Sequence, residues 1–196
     1  MDERRVIYIV IDPKKARSGA AAVVGAIHAA ALAELPIYVV GLIPATDNQP
    51  APDAYQPGDV ITMYDGTQVE VMNTDAEGRL ILADALAYAK QLKPELAIDL
   101  ATLTGSSMRA VGNYAGCAMG TAGDKVLGNL KNAGMESWER VVEFPLWDDY
   151  ATDLKSDIAD MRNLGPTPFA DVIIAGKFLE HFTDYPWIHI DIAGPA

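Results

Sequence analysis

The sequence predicts an α/β fold, because apolar segments typical of strands alternate with helical segments along most of the chain. Its 196 residues, half of them hydrophobic, are enough for one substantial core, so we expect a single domain over residues 1–196. A polar heptapeptide, NTDAEGR at 73–79, lies at a predicted strand-to-helix junction. Because α/β sheets bind their ligands at such junctions, we expect the functional site there.

The first elements form a strand–helix–strand unit. Residues 6–11 are an unbroken β-branched and aromatic run, which predicts a strand covered on both faces. Residues 17–34 are rich in alanine and predict a helix packed closely against the sheet, which Pro36 ends. Residues 37–43 predict a second buried strand, joined to the first by a parallel crossover. The proline-rich polar segment that follows is long enough to predict a functional loop.

A hairpin leads into the polar heptapeptide. Strands are predicted at 60–64 and 68–72, and the Asp65-Gly66 pair between them is a strong turn signal. The helix predicted at 79–90 has leucine and alanine at helical spacing. We expect Thr74 or Asp75 to cap this helix.

The second half of the chain continues the alternation. Residues 96–100 predict a strand that opens into a hydroxyl-rich loop, ATLTGSS at 101–107. Residues 114–119 predict an edge or returning strand, and 187–192 predict the last strand. Helices are expected near 125–140 and 170–182. We find no internal repeat, low-complexity segment or linker that would divide the chain.

Composition excludes several classes of partner. The formal net charge of -12 disfavours nucleic acid and anionic membranes, so a peptide or small molecule is the expected partner. The single cysteine, Cys117, cannot form an intrachain disulfide, which suits a reducing compartment. There is neither a signal-peptide pattern nor an apolar run of membrane length. These features predict a soluble, cytoplasmic protein.

Familiar catalytic motifs are missing from the sequence. It has no phosphate-binding loop, no dinucleotide fingerprint and no nucleophile elbow of serine hydrolases. His28, His181 and His189 are too scattered for a zinc cluster, so we assign them structural or surface roles. Cys117 has no adjacent base and is interpreted as a small buried residue. The acidic residues at 75 and 77 have an alternative interpretation as well, in which they only stabilise the N-terminus of a helix through its dipole.

The heptapeptide belongs to a longer motif, NTDAEGRLILADA at 73–85, which resembles the signature of the leucyl aminopeptidase, or cytosol aminopeptidase, family. Further matching segments are VVGLIPAT, YQPGDV, IDLATLTG, LKSDIADMRN and HIDIAGPA, and the likeness extends from about residue 18 to the C-terminus. The resemblance implies a three-layer α/β sandwich with a mainly parallel central sheet flanked by helices. It also implies a hexameric, two-metal exopeptidase that releases N-terminal residues from peptides.

The resemblance assigns roles to particular residues. It makes Asp75 and Glu77 ligands of manganese, zinc or magnesium, a choice that hard carboxylate oxygens support. It makes Arg79 the catalytic holder of a bicarbonate, which a guanidinium fork can bind through two donors. The residues expected to bind substrate are Asn73, Thr102, Leu103, Thr104 and Gly105.

The metal site departs from the family before residue 18. The family's ligand lysine, two of its ligand aspartates and its catalytic lysine find no match there, so two of five expected ligand side chains remain. Two carboxylates cannot neutralise two divalent cations unless Asp12 or another chain contributes. We therefore expect weak peptidase activity. The alternative is a catalytically inactive domain of this fold, or part of a larger protein, with a binding or assembly role.

Overall fold

The computed structural model describes residues 5–10, 12–13, 17–46 and 50–196. Its five α-helices in the described part are α1 (Arg17–Leu32), α2 (Glu77–Ala89), α3 (Gly105–Val111), α4 (Asp124–Ser137) and α5 (Asp171–Glu180). The strands are β1 (Arg5–Val10), β2 (Asp12–Pro13), β3 (Tyr38–Leu42), β4 (Ala45–Thr46), β5 (Val60–Thr62), β6 (Gln68–Glu70), β7 (Leu96–Ala101), β8 (Gly116–Gly120), β9 (Val141–Glu143), β10 (Met161–Arg162) and β11 (Trp187–Asp191). Short 3-10 helices are Thr74–Ala76, Lys90–Leu92, Gly112–Tyr114 and Asp148–Leu154.

A six-stranded sheet in the order β3-β1-β7-β11-β8-β9 organises the molecule. Every neighbouring pair is parallel except β11 and β8, which run antiparallel. The parallel pairing of β7 with β11 brings their carboxyl ends to the same edge of the sheet. A second sheet, β10-β6-β5, contains the predicted hairpin, and β2 pairs with β4 alone.

Helices cover both faces of the main sheet. Helices α2 and α5 pack on one face, where Leu86, Phe178 and Trp187 share a buried cluster. Helix α4 packs on the other face, where Leu127 joins the alternate β11 residues Ile188 and Ile190. Helix α1 lies on that second face as well, because a side chain built at Gly41 would meet its isoleucine at 27. The predicted three-layer α/β sandwich is therefore confirmed.

Close packing between the layers depends on small residues. At Gly176 of α5, an added Cβ would lie 2.2 Å from the sulphur of Met119 on β8. Glycine at this position lets the helix approach the strand. Cys117, on the same strand, is fully buried, as predicted.

Two local predictions need correction. Strand β3 has two exposed and three half-buried residues and no fully buried one, because it is the edge of the sheet and not a fully covered strand. Strand β8 is a returning strand, but it is internal, since the unforeseen β9 pairs beyond it. The expectation that 6–11 is buried on both faces concerns side chains outside the described part.

None of the helices in the described residues is long and apolar enough to cross a bilayer.

Candidate functional site

The first turn of α2 and the loop after β7 meet at the carboxyl edge of the main sheet. A Cβ added to Gly78 would lie 3.2 Å from Cδ1 of Leu103, so the helix start approaches this loop closely. The absence of a side chain at this glycine permits that approach. The polar heptapeptide at 73–79, which forms the corner where α2 begins, and the hydroxyl-rich loop at 101–107 therefore form one region.

The entry into α2 is held by two asparagines. The Asn73 side chain accepts a hydrogen bond from the Asp75 amide at 2.9 Å and caps the 3-10 turn at Thr74–Ala76. Asn163, which is fully buried, donates its amide to the Asn73 carbonyl at 2.9 Å and accepts from the Met72 amide at 2.8 Å. The predicted cap at 74 or 75 is wrong, because a 3-10 turn capped by Asn73 comes first and places Ala76 at the N-cap of α2.

The two acidic residues of the corner differ in environment. Asp75 is exposed, whereas Glu77 is half-buried, and its Oε2 atom is buried with no hydrogen-bond partner among the described residues. Burial, and to a smaller extent the Glu77 carboxylate, raises the pKa of Tyr55. A buried carboxylate oxygen normally has a partner, so Oε2 of Glu77 is a candidate position for a cation or a hydrogen-bond donor.

This donor set fits one divalent cation better than two. Within residues 18–46 and 50–196, no group of three or more histidine, cysteine or acidic side chains converges. One cation held by Asp75 and Glu77, with water completing its shell, is compatible with the chemistry of hard oxygen ligands. A pair of cations would need ligands that the described residues do not provide.

Arg79 is buried and already paired. The residue is 3% exposed; its Nη1 donates to the Asn163 carbonyl at 3.1 Å, and its Nη2 donates to Oδ1 of Asp171 at 3.0 Å. The other carboxylate oxygen of Asp171 accepts from the Ser106 hydroxyl at 3.2 Å. The Asp171 carboxylate thus binds the guanidinium. These residues therefore do not fit a free bicarbonate in addition to Asp171.

The loop predicted to bind substrate is anchored by a buried acid at the end of β11. Asp191 is fully buried and accepts from the Leu103 amide at 3.1 Å, the Thr104 amide at 2.9 Å and the Thr104 hydroxyl at 2.7 Å. These two amides therefore hold the loop in shape. Thr102 differs, because its hydroxyl is buried and no hydrogen-bond partner for it lies among residues 5–10, 12–13, 17–46 and 50–196. Gly105 is exposed and begins α3.

A second buried acid, Asp99, lies on β7, two residues further from the carboxyl edge of the sheet than the Ala101–Asp191 pair. Asp99 accepts from the Trp187 indole at 2.6 Å and contacts Nδ1 of His189 at 2.5 Å, and all three residues are fully buried. Burial opposes a charge on His189, but the Asp99 carboxylate outweighs it and raises the imidazole pKa. The structural role predicted for this histidine is consistent with the arrangement.

Sequence reasoning missed three residues that organise the corner: Asn163, Asp171 and Asp191. The first and third belong to the matching segments at 154–163 and 189–196, so their position within a motif could have suggested a role. Asp171 lies in no matching segment. Its only signal is an acidic residue at a helix start, which most often reflects the macrodipole.

Comparison with known proteins identifies the family of the chain. The model of the cytosol aminopeptidase family, catalytic domain, matches residues 10–196. A probable cytosol aminopeptidase of Syntrophotalea carbinolica is 52% identical over 180 residues, covering 91% of this chain and 36% of that protein. Its counterpart from Chlorobaculum tepidum is 53% identical over 186 residues, covering 93% and 36%. The chain thus spans little more than a third of these relatives.

Solved structures share the fold across nearly the whole chain. A cytosol aminopeptidase from Coxiella burnetii superposes with a TM-score of 0.92 at 32% identity, covering 98% of this chain and 46% of that one. The apo leucyl aminopeptidase of Trypanosoma brucei gives the same TM-score at 30% identity, covering 98% and 41%. The chain therefore belongs to the cytosol aminopeptidase family and matches the model of its catalytic domain.

Proposed function

We propose that this chain is an aminopeptidase-type hydrolase that depends on a divalent metal and releases N-terminal residues from peptides, with weak turnover. The observation that supports this most directly is the buried Oε2 of Glu77, at the carboxyl edge of the sheet, which has no partner in the part of the chain that the structure describes. Family membership makes peptide hydrolysis the natural reaction for such a corner. The cation would be manganese, zinc or magnesium.

Asp75 and Glu77 would hold that cation, and the exposed Asp75 leaves the site open to a ligand from solution. A bound cation would polarise the scissile carbonyl and lower the pKa of its water. Weak turnover is expected because the described residues supply only two carboxylates, and loss of a charge-stabilising group costs about hundredfold in rate or more.

The peptide would lie along the loop after β7. Asp191 fixes this loop by accepting from two of its amides, which keeps the loop geometry constant during binding. The hydroxyl of Thr102, which no described residue pairs, would bind a polar group of the peptide, and Gly105 lies at the exposed end. Asn73 supports the corner through its cap and its link to Asn163.

The second candidate function is binding or assembly without catalysis. The small number of converging ligands in the described residues favours it. Assembly into a homo-oligomer, as the resemblance implies, and a cytoplasmic location remain predictions of the sequence.

Manganese binding by calorimetry and hydrolysis of a leucyl anilide test the proposal together. We expect one manganese ion per chain, slow release of leucine, and loss of both in Glu77→Gln. Glu95→Gln, a change of the same size at an exposed acid before β7, should preserve both.

Two results would contradict the proposal. Hydrolysis that persists in Glu77→Gln would come from a contaminating peptidase, and absence of manganese binding in the unaltered chain would leave only the binding or assembly role. A two-ion isotherm would show that ligands beyond the described residues complete the site.

A further inference from the structure

Arg79 and Asp171 form an ion pair in which the carboxylate balances the charge of a buried guanidinium. Arg79 is nearly inaccessible, and a guanidinium removed from water must be matched by an anion and by hydrogen-bond acceptors. Asp171 supplies the anion at 3.0 Å, and the Asn163 carbonyl supplies an acceptor at 3.1 Å. The charge of the guanidinium is therefore balanced within the fold, and two of its five N–H donors have partners there.

The position of Asp171 is fixed from three directions. It is the first residue of α5, a ten-residue helix, so the positive end of the helix dipole stabilises its charge. Arg79 on α2 binds one of its oxygens, and Ser106 on α3 donates to the other. The carboxylate thus links three helices around the corner that contains Glu77.

We propose that Asp171 is a built-in replacement for a free carboxylate-type anion on Arg79, so that this site takes no bicarbonate from solution. Bicarbonate presents the same planar pair of oxygens that the Asp171 side chain presents. A second anion at the same guanidinium would place two negative charges beside one positive charge, which is unfavourable. An anion attached to the folded chain also has an effective concentration far above that of a free one.

This inference deepens the proposed function, because it assigns Asp171 as a positioning residue beside the metal corner. It predicts that removing the carboxylate opens an anion site that the unaltered chain lacks. Anion binding can be measured without metal and without turnover. The result can therefore support this inference even if the chain is inactive, and contradict it even if the chain is active. The two proposals are therefore tested separately.

The experiment compares thermal unfolding of the unaltered chain and Asp171→Ala in increasing bicarbonate, at constant pH and with sodium chloride keeping the ionic strength constant. Asp171→Ala should unfold at a lower temperature and regain about 2–4 °C or more as bicarbonate saturates the site. The unaltered chain should show no saturable rise. Formate, a smaller carboxylate, should rescue Asp171→Ala in the same way.

Controls separate anion binding from general destabilisation. Glu180→Gln removes an acid from the same helix that pairs with Lys177, so it should give no bicarbonate response. The double change Asp171→Ala with Arg79→Gln should lose the response, because the receiving cation is gone. Asp171→Asn keeps the side-chain volume and provides a folded comparison if the alanine variant unfolds.

The ¹³C resonance of labelled bicarbonate gives a second readout. Saturable broadening with Asp171→Ala or Asp171→Asn, and none with the unaltered chain, would support the proposal. Equal rescue or broadening in the unaltered chain would overturn it, since Arg79 would then accept a free anion beside Asp171. Failure of both Asp171 variants to respond would also overturn it.

Discussion

Helices α1 and α2 have similar alanine-rich sequences but very different environments. In α2, nine of thirteen residues are buried. In α1, among residues 18–32, Gly19 and Val23 are the fully buried ones, while Leu32 is 73% exposed. Alanine content therefore predicts that both segments are helical and does not predict which one becomes enclosed.

The cause of the difference is what lies beyond each helix. Helix α2 packs on the sheet, on α5 and beside the β5–β6 hairpin, whose Val69 and Ile61 join the same core. Helix α1 contacts β1, β2, β3 and β7 on its inner side. A helix covered on two sides holds its side chains more rigidly than one covered on a single side, which suits α2 as the carrier of the proposed site residues Glu77 and Arg79.

Truncation of a buried leucine on α2 should give the largest effect of this comparison. Leu86 is fully buried in the main cluster, so Leu86→Ala should lower the free energy of unfolding by about 2–5 kcal/mol. Urea denaturation monitored by tryptophan fluorescence measures it. A loss below about 0.5 kcal/mol, the level of ordinary surface changes, would show that this core is loosely packed.

Most of the fold could be predicted from sequence periodicity. The main strands and helices, and the turn at Asp65-Gly66, come from patterns within one segment. The edge position of β3 and the added strand β9 could not be predicted, because strand order depends on which segments pair over long distances.

The site was predictable as a region but not as a network. The heptapeptide and the loop after β7 were expected to be functional, and Gly78 does lie against Leu103. The partner of Arg79 was not foreseen, because Asp171 is 92 residues away along the chain and a lone acid at a helix start is common. Roles of the site residues remain proposals.

The buried acid–histidine pair beneath α2 predicts a pH dependence of stability. His189 faces Asp99 on β7, Asp191 on its own strand and Arg79 on α2, and after the opposing effect of burial the Asp99 carboxylate raises its pKa. Because the pKa of His189 is higher in the folded state, the pair stabilises the folded protein fully below the ordinary pKa of 6.5. This stabilisation is lost as pH rises through the folded-state pKa. Each unit of pKa elevation contributes about 1.4 kcal/mol.

We therefore expect the free energy of unfolding contributed by this pair to fall as pH rises above 6.5. Urea denaturation between mildly acidic and mildly alkaline pH, compared for the unaltered chain and Asp99→Asn, isolates it. NMR of the imidazole ring checks the assignment directly. A ring that loses its proton at or below its ordinary pKa would contradict the prediction.

Truncation on the outer side of α1 should give the smallest effect. Leu32 loses little exposed area on folding, so Leu32→Ala should change the free energy of unfolding by no more than about 0.5 kcal/mol. The same denaturation assay, run at two protein concentrations, measures it. A cost similar to that of Leu86→Ala, growing with protein concentration, would mean that a second copy covers this side of α1. In that case the contrast between the two helices would hold for the isolated chain and disappear in the assembly, because α1 would also be enclosed on two sides.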